Sequence, residues 1–199
     1  MTAMHDDLLD VRVRELLERV TEETPAPGGG SIAALVAALA AGLVETVARA
    51  SGGWTEGRGL AAQAKTLRAR VEPLAQRDAE AYEEALVALR LPAALEPEVR
   101  RDTIERSLAY AAEVPLAIAR ISADIADAAA AAAECGDPST CADASVAAVL
   151  AEGAARGAAH LVAINLTTTA DDRRVMHARR AAESASDAAK RALRAAGER

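Results

Sequence analysis

Apolar residues recur every three or four positions along most of this chain, which is the spacing of one face of an α-helix. The first such segment spans about Asp6 to Val20, and the second spans about Ser31 to Ala50. The second segment is apolar nearly all round until Glu45 and Arg49. Because a helix of that kind has to be covered on every side, we predict that it is the central buried helix.

Prolines interrupt the two long segments in the middle of the chain. The third segment runs from about Leu60 to Leu91 and contains Pro73, where we predict that the helix kinks or splits. The fourth runs from about Glu98 to Glu134, and Pro115 predicts a bend within it rather than its end.

Two further helical segments complete the chain. They span about Ala142 to Leu166 and Asp171 to Ala196. The first of them contains Gly153 and Gly157 at a four-residue spacing, which permits close contact between helices.

Alanine dominates the composition, with 54 alanines, two tyrosines, one tryptophan and no phenylalanine among 199 residues. A core without aromatic bulk has to be built by close approach of helices through small residues. The predicted fold class is therefore all-α: a single domain over residues 1–199, with about six helices and a long kinked central helix. Since such packing buries little area per residue, we also expect a self-associating surface and a homodimer.

The charge pattern and the N-terminal residues limit the classes of partner and the cellular compartment that we expect. A formal net charge of −7, with the basic residues interspersed among acids, argues against nucleic acid as a partner. The longest apolar stretch, Ile32 to Val44, is shorter than a bilayer span, and His5, Asp6 and Asp7 stand where a basic signal region would lie. We expect no membrane association and a cytoplasmic protein.

Cysteine and histidine are too few for a structural metal site. Cys135 and Cys141 lie six residues apart without a CxxC pair, and the histidines are His5, His160 and His177. A reduced, incidental pair of cysteines is the main interpretation, and a loop disulfide is the minor one.

The segment Pro25 to Ser31 is the most informative stretch of the sequence. Its three glycines allow the backbone to approach another group closely, at Gly29 for example, and Ser31 can cap the helix that follows. The first N–H groups of that helix form a pocket suited to an anion or an oxygen. The alternative is a glycine turn that only precedes a buried helix.

Three polar residues are further candidates, each with an alternative. Asp78 lies one helical turn before Tyr82, but it would also fit a solvated face shared with neighbouring glutamates. Asp143 could be a first-turn acid that stabilises the helix dipole. Asn165 could be one more capping or turn residue.

Five blocks of the sequence resemble the formiminotransferase-cyclodeaminase C-terminal domain family, which includes free-standing methenyltetrahydrofolate cyclohydrolases. They are PAPGGGSIAALVAALAAGLVETVARA from Pro25, DAEAY from Asp78 with Leu91-Pro92 after it, EVPL from Glu113, the turn from Cys135 to Asp143, and INL from Ile164. Together they span about residues 8 to 170, and the glycine block is the most specific.

The resemblance implies an all-helical, dimeric tetrahydrofolate enzyme that needs no metal or redox cofactor. It assigns the catalytic carboxylate to Asp78, and it assigns the folate pocket to Gly28, Gly29, Gly30, Ser31, Tyr82, Asp143 and Asn165. Three positions depart from the family pattern: Asp137 replaces asparagine, Ala142 replaces serine, and Leu161 replaces asparagine.

Hydrolysis of 5,10-methenyltetrahydrofolate is the first functional hypothesis, with Asp78 moving protons to and from water and the departing nitrogen. The alternative within the family is a formiminotetrahydrofolate cyclodeaminase that releases ammonia. Since the chain has no room for a formiminotransferase module, such a partner is expected to be a separate protein. The alternative of another class is a catalytically silent helical module for dimerisation or ligand binding.

Overall fold

The computed structural model describes residues 7–22, 27–92, 95–166 and 172–197, and within these ranges the secondary structure is helical with no strand. The helices are α1 (Val13–Arg19), α2 (Gly29–Ala50), α3 (Gly57–Val71), α4 (Leu74–Leu89), α5 (Pro97–Ala111), α6 (Glu113–Cys135), α7 (Cys141–Asn165) and α8 (Arg173–Gly197), with a 3₁₀ turn at Pro138–Thr140. The prediction of an all-α fold is confirmed.

Both mid-chain segments predicted as long kinked helices are pairs of consecutive helices. Pro73 separates α3 from α4, which is the split that its missing N–H predicts. The bend predicted at Pro115 is confirmed: only Ala112 separates α5 from α6, it keeps helical angles of φ −80° and ψ −22°, and the Leu116 N–H still donates to its carbonyl at 3.2 Å. Pro115 lies in the first turn of α6 and has no N–H to donate to the Ala111 carbonyl.

The first predicted helix is shorter than its apolar pattern. Helix α1 begins at Val13 rather than near Asp6, which is outside the described residues. Leu8 is buried and its N–H donates to Gln76 Oε1 at 3.3 Å, so the chain turns there onto α4. Arg12 is extended, with φ −64° and ψ 140°, and this conformation separates the turn from the helix.

The core is made of alanine faces, as the composition predicts. The main packing partners are α6 with α7 and α8, α2 with α7 and α3, and α7 with α8. Buried alanines line every one of these helices, and valine and isoleucine supply the largest buried side chains. Small contact residues allow the helices to approach closely, which compensates for the missing aromatic bulk.

Helices α2 and α7 run antiparallel, and this fixes which parts of the sequence meet at each end. At one end, a Cβ on Gly29 would lie 3.9 Å from Leu161 Cδ1. At the other end, the Asp137 N–H donates to Ser51 Oγ at 2.8 Å. The start of α2 therefore lies beside the end of α7.

Two helical stretches, Gly29–Ala50 and Pro138–Asn165, are long and apolar enough to cross a bilayer by length and composition alone. The first of these, α2, continues past Val44, where the apolar stretch of the sequence ends. The next residue, Glu45, is buried and paired: its Oε1 lies 2.5 Å from Arg49 Nη2, and its Oε2 lies 3.5 Å from Arg68 Nη2. Most of that helix is covered by its neighbours, as the prediction of a central buried helix requires.

Candidate active site

The side chain of Asp78, which belongs to α4, caps the N-terminus of the neighbouring helix α2. Ser31 is fully buried in the first turn of α2, and its Oγ donates to Asp78 Oδ2 at 3.3 Å. The backbone N–H of Ser31 donates to the same carboxylate. The residue at the N-cap position itself is Gly28, which has no side chain to accept a bond. The cap predicted for the Ser31 hydroxyl is thus supplied by a carboxylate from another helix.

Gly30 is the glycine that this contact requires. A Cβ at position 30 would lie 2.5 Å from Asp78 Cγ and 2.6 Å from Asp78 Oδ2, far inside van der Waals contact. Gly29 is exposed, and a Cβ there would make only an ordinary contact with Leu161. The close backbone approach expected of the glycine segment therefore occurs at Gly30, and its counterpart is a carboxylate of the same chain.

Burial raises the pKa of Asp78 above its ordinary value, although the two hydrogen bonds from Ser31 act in the opposite direction. Desolvation is the larger effect because α2 and α4 cover one side of the carboxylate and supply no cation to it. The side chain is half-buried, so its other side is accessible. A carboxyl group in this state can accept a proton and return it. The alternative of a fully solvated acidic face does not describe this residue.

The other predicted residues are divided between the two ends of the molecule. Gly28 is the N-cap residue of α2, and Tyr82 lies on α4 one turn after Asp78, where its side chain is 43% exposed. Asp143 is exposed in the first turn of α7. Eighteen residues of helix separate it from Leu161, or about 27 Å at 1.5 Å per residue. Within one chain, Asp143 and Asp78 do not meet.

Asn165 joins two helices. It is the last residue of α7, and its Nδ2 donates to the Ala111 carbonyl at 3.0 Å. In a continuous helix that carbonyl would bond to the N–H of residue 115, but Pro115 has none. Asn165 therefore replaces the hydrogen bond that the proline removes. In the structure, Asn165 thus holds the junction of α5 and α6. This role is similar to the turn or capping role that the sequence allowed.

Asn165→Ala is expected to lower the free energy of unfolding by about 1–3 kcal/mol, because the buried Ala111 carbonyl would lose its partner. Asn165→Asp, which keeps the shape but lacks the donor, should cost a similar amount. Urea unfolding followed by circular dichroism measures both, with Gln63→Ala on the exposed face of α3 as the control. Stability equal to that of the control would contradict this role.

A second concave region lies at the opposite end of the molecule, at the turn from Cys135 that the resemblance had marked. A cavity of about 400 Å³ is lined by residues that include Trp54, Glu56, Cys135 and Asp137. The Asp137 carboxylate accepts hydrogen bonds from Ser139 N at 2.8 Å and Ser139 Oγ at 2.7 Å, which holds the turn before α7. Trp54 is the only tryptophan in the sequence, and it is the signal that could have pointed to this cavity. Both cysteine thiols are free, as the main interpretation expected, and Cys141 is buried.

Comparison with known proteins gives consistent matches over most of the chain. A family model described as formiminotransferase-cyclodeaminase matches residues 12–184. Rat formimidoyltransferase-cyclodeaminase is 34% identical over 174 residues, which cover 83% of this chain and 32% of that protein, so the chain spans about a third of the length of that relative. The methenyltetrahydrofolate cyclohydrolase of Methylorubrum extorquens is 30% identical over 162 residues, which cover 77% of this chain and 78% of that protein.

The fold also matches a solved structure. Formiminotetrahydrofolate cyclodeaminase from Thermotoga maritima superimposes with a TM-score of 0.84 at 23% identity, covering 96% of this chain and 98% of that one. The architecture is therefore that of an all-α cyclodeaminase-type domain. By the sequence matches, the chain belongs to the formiminotransferase-cyclodeaminase family. The resemblance noted in the sequence is confirmed.

Proposed function

We propose that the protein is a tetrahydrofolate one-carbon enzyme that hydrolyses 5,10-methenyltetrahydrofolate to 10-formyltetrahydrofolate. The observation that carries this proposal is the Asp78 carboxylate, half-buried against the first turn of α2 with its pKa raised. The carbon that bridges N5 and N10 in the substrate belongs to a cationic amidinium. A carboxylate attracts that cation and can also activate the attacking water.

The reaction needs proton transfers that one carboxyl group can perform. Water adds to the bridging carbon, a C–O bond forms, and Asp78 takes a proton from the attacking water. The C–N5 bond then breaks while Asp78 returns that proton to N5, and loss of the hydroxyl proton leaves the formyl group on N10. In total, one water is consumed and one proton is released. Ser31 holds the carboxylate in place during both steps.

Release of ammonia from formiminotetrahydrofolate is the second candidate, and it would use the same carboxyl group. It is favoured by the similarity to the rat formimidoyltransferase-cyclodeaminase. Hydrolysis is preferred because the cyclohydrolase relative matches over most of its own length, whereas the rat protein matches over a third. We also propose a cytoplasmic homodimer, and a separate formiminotransferase as the partner if the cyclodeaminase reaction takes place.

Assaying both substrates side by side tests the function. Purified protein is expected to accelerate the loss of the near-ultraviolet absorbance of methenyltetrahydrofolate above the spontaneous rate. Ammonia release from formiminotetrahydrofolate without hydrolysis of the methenyl compound would make the cyclodeaminase reaction the correct one. If neither substrate reacted while a folate still bound, the chain would be a catalytically silent binding module.

A further inference from the structure

The exposed backbone at Gly29 lies between two side chains of opposite character. Gly29 is in the first turn of α2, and a Cβ built on it would lie 3.9 Å from Leu161 Cδ1, the only atom of another described helix within 4 Å. One residue further along α2, the Asp78 carboxylate lies against Gly30. The space above Gly29, called the Gly29 recess below, therefore has a carboxylate on one side and an apolar side chain on the other.

Helix α7 holds Leu161 in this position. Leu161 is half-buried one turn before the end of α7, and the neighbouring Val162 is fully buried in the core. The next amide side chain along α7 belongs to Asn165, and its Nδ2 donates to the Ala111 carbonyl at the α5–α6 junction. The wall that α7 supplies to the Gly29 recess is thus apolar.

The two candidate substrates present different hydrogen-bond donors to this recess. The reacting carbon of 5,10-methenyltetrahydrofolate is part of a flat cation and carries only hydrogen besides N5 and N10. Once the attacking water has given a proton to Asp78, a single O–H remains, and it faces the carboxyl group. In formiminotetrahydrofolate the carbon carries an NH2 group whose two N–H bonds diverge. A carboxylate on one side can accept one of them, so the other needs an acceptor across the recess.

Release of ammonia makes the same demand. N10 attacks the formimino carbon and a C–N10 bond forms, while Asp78 takes the proton from N10 and returns it to the NH2 group. The bond from the carbon to that nitrogen then breaks, ammonia leaves, and the methenyl cation is the product. During these steps an N–H donor faces Leu161, which has no acceptor. A donor taken out of water without a partner is unfavourable, whereas the C–H of the methenyl group makes an ordinary apolar contact.

We propose that Leu161 determines which of the two reactions the site favours. Its side chain closes the Gly29 recess with an apolar wall, which accommodates the flat methenyl cation and leaves the second formimino N–H unpaired. Position 161 is also one of the three at which the chain departs from the family pattern, where an asparagine would supply an acceptor oxygen. Leu161 moves no proton, so it is a specificity-determining residue, and this inference rests on the proposed function.

Leu161→Asn tests the apolar wall, because asparagine has nearly the same size and adds an acceptor. The ratio of kcat/KM for methenyl hydrolysis to kcat/KM for ammonia release is expected to fall by about five- to a hundredfold, the effect of one unpaired donor. If the wild type releases no detectable ammonia, the expected result is that the variant does. Both rates are measured on one preparation of the full chain, so a loss of folded protein lowers them equally and leaves the ratio unchanged.

Three further variants separate the chemistry of position 161 from its shape and from a general effect of an added amide. Leu161→Met keeps an apolar side chain of similar volume and should leave the ratio within about twofold of wild type. Ile164→Asn places the same amide at an exposed position of α7 and should also leave the ratio unchanged. Leu161→Ser adds a hydroxyl oxygen and should lower the ratio, which provides a second test if the asparagine variant does not fold.

An unchanged ratio in Leu161→Asn and Leu161→Ser would overturn the inference, and so would an equal fall in Leu161→Met or Ile164→Asn. If the wild type hydrolyses the methenyl compound while the ratio stays fixed, the proposed function stands and only the role of Leu161 is lost. If the wild type does not hydrolyse the methenyl compound at all, the proposed function is refuted, and the inference that rests on it falls with it.

Discussion

Replacing Asp78 by asparagine is expected to lower kcat for methenyltetrahydrofolate hydrolysis by about two to four powers of ten, the usual contribution of a positioned acid/base group. The carboxamide keeps the shape of the side chain and can still accept the Ser31 N–H, but it cannot carry a proton between water and N5. Steady-state kinetics on the purified variant measures the change. The matched control is Glu80→Gln, which neutralises an exposed acid on the same helix. Turnover within a factor of two of wild type would remove Asp78 from the mechanism.

The same substitution should not destabilise the fold at neutral pH. Burial raises the pKa of Asp78 in the folded state above its unfolded value, so folding favours the protonated form. The stabilisation that this proton provides is fully present at a pH below the pKa of Asp78 in the unfolded state. It is lost as the pH rises through the pKa of Asp78 in the folded state. A neutral asparagine avoids this loss. Asp78→Asn is therefore expected to unfold at a higher urea concentration than wild type at pH 7, with the difference shrinking at about pH 4. A large loss of stability at pH 7 would show that the carboxylate is needed as a structural cap.

Gly30→Ala is expected to reduce kcat by about ten- to a hundredfold, because displacement of a catalytic group by about 1 Å has effects of that size. The new methyl group would overlap the Asp78 carboxylate and push it away from Ser31. Alanine is also the better helix former, so the loss cannot be attributed to a weaker helix. Kinetics and thermal unfolding measured together separate these two effects.

Two other glycines provide the comparison for Gly30→Ala. Gly29→Ala places its methyl group in ordinary contact with Leu161 and should lower kcat much less. Gly59→Ala lies at an open position of α3 and should leave both activity and stability near wild type. Equal losses in the Gly29 and Gly30 variants would mean that the whole segment, rather than the contact with Asp78, matters for turnover.

The helical class and the position of most helices were readable from the sequence because both follow from local periodicity. Helices α2, α7 and α8 lie within a few residues of their predicted bounds where these are described. The outcome at the two prolines differed, since a proline specifies that a hydrogen bond is lost but not what replaces it. At Pro115 the replacement is the Asn165 side chain, from 54 residues beyond the Ala111 carbonyl that it binds. No local pattern contains that contact.

The candidate site was only partly predictable for a similar reason. Asp78 and the glycine segment were identified as separate candidates, but the sequence does not state that the carboxylate caps α2 or that Gly30 is the glycine against it. The resemblance assigned Asp143 to the same pocket, yet α7 holds this residue at the opposite end of the molecule.

By itself, the sequence determined the all-α class and the alanine-rich core, because composition and helical period act over a few neighbouring residues. Its motifs also indicated the family and made Asp78 the candidate carboxylate. The tertiary structure decided which groups meet. It buried Ser31, raised the pKa of Asp78, gave Asn165 a role at the α5–α6 junction and left the glycines of α7 facing outward. These properties depend on the packing of helices that are distant in the chain, since desolvation and hydrogen-bond partners are set by whichever side chains the fold brings into contact.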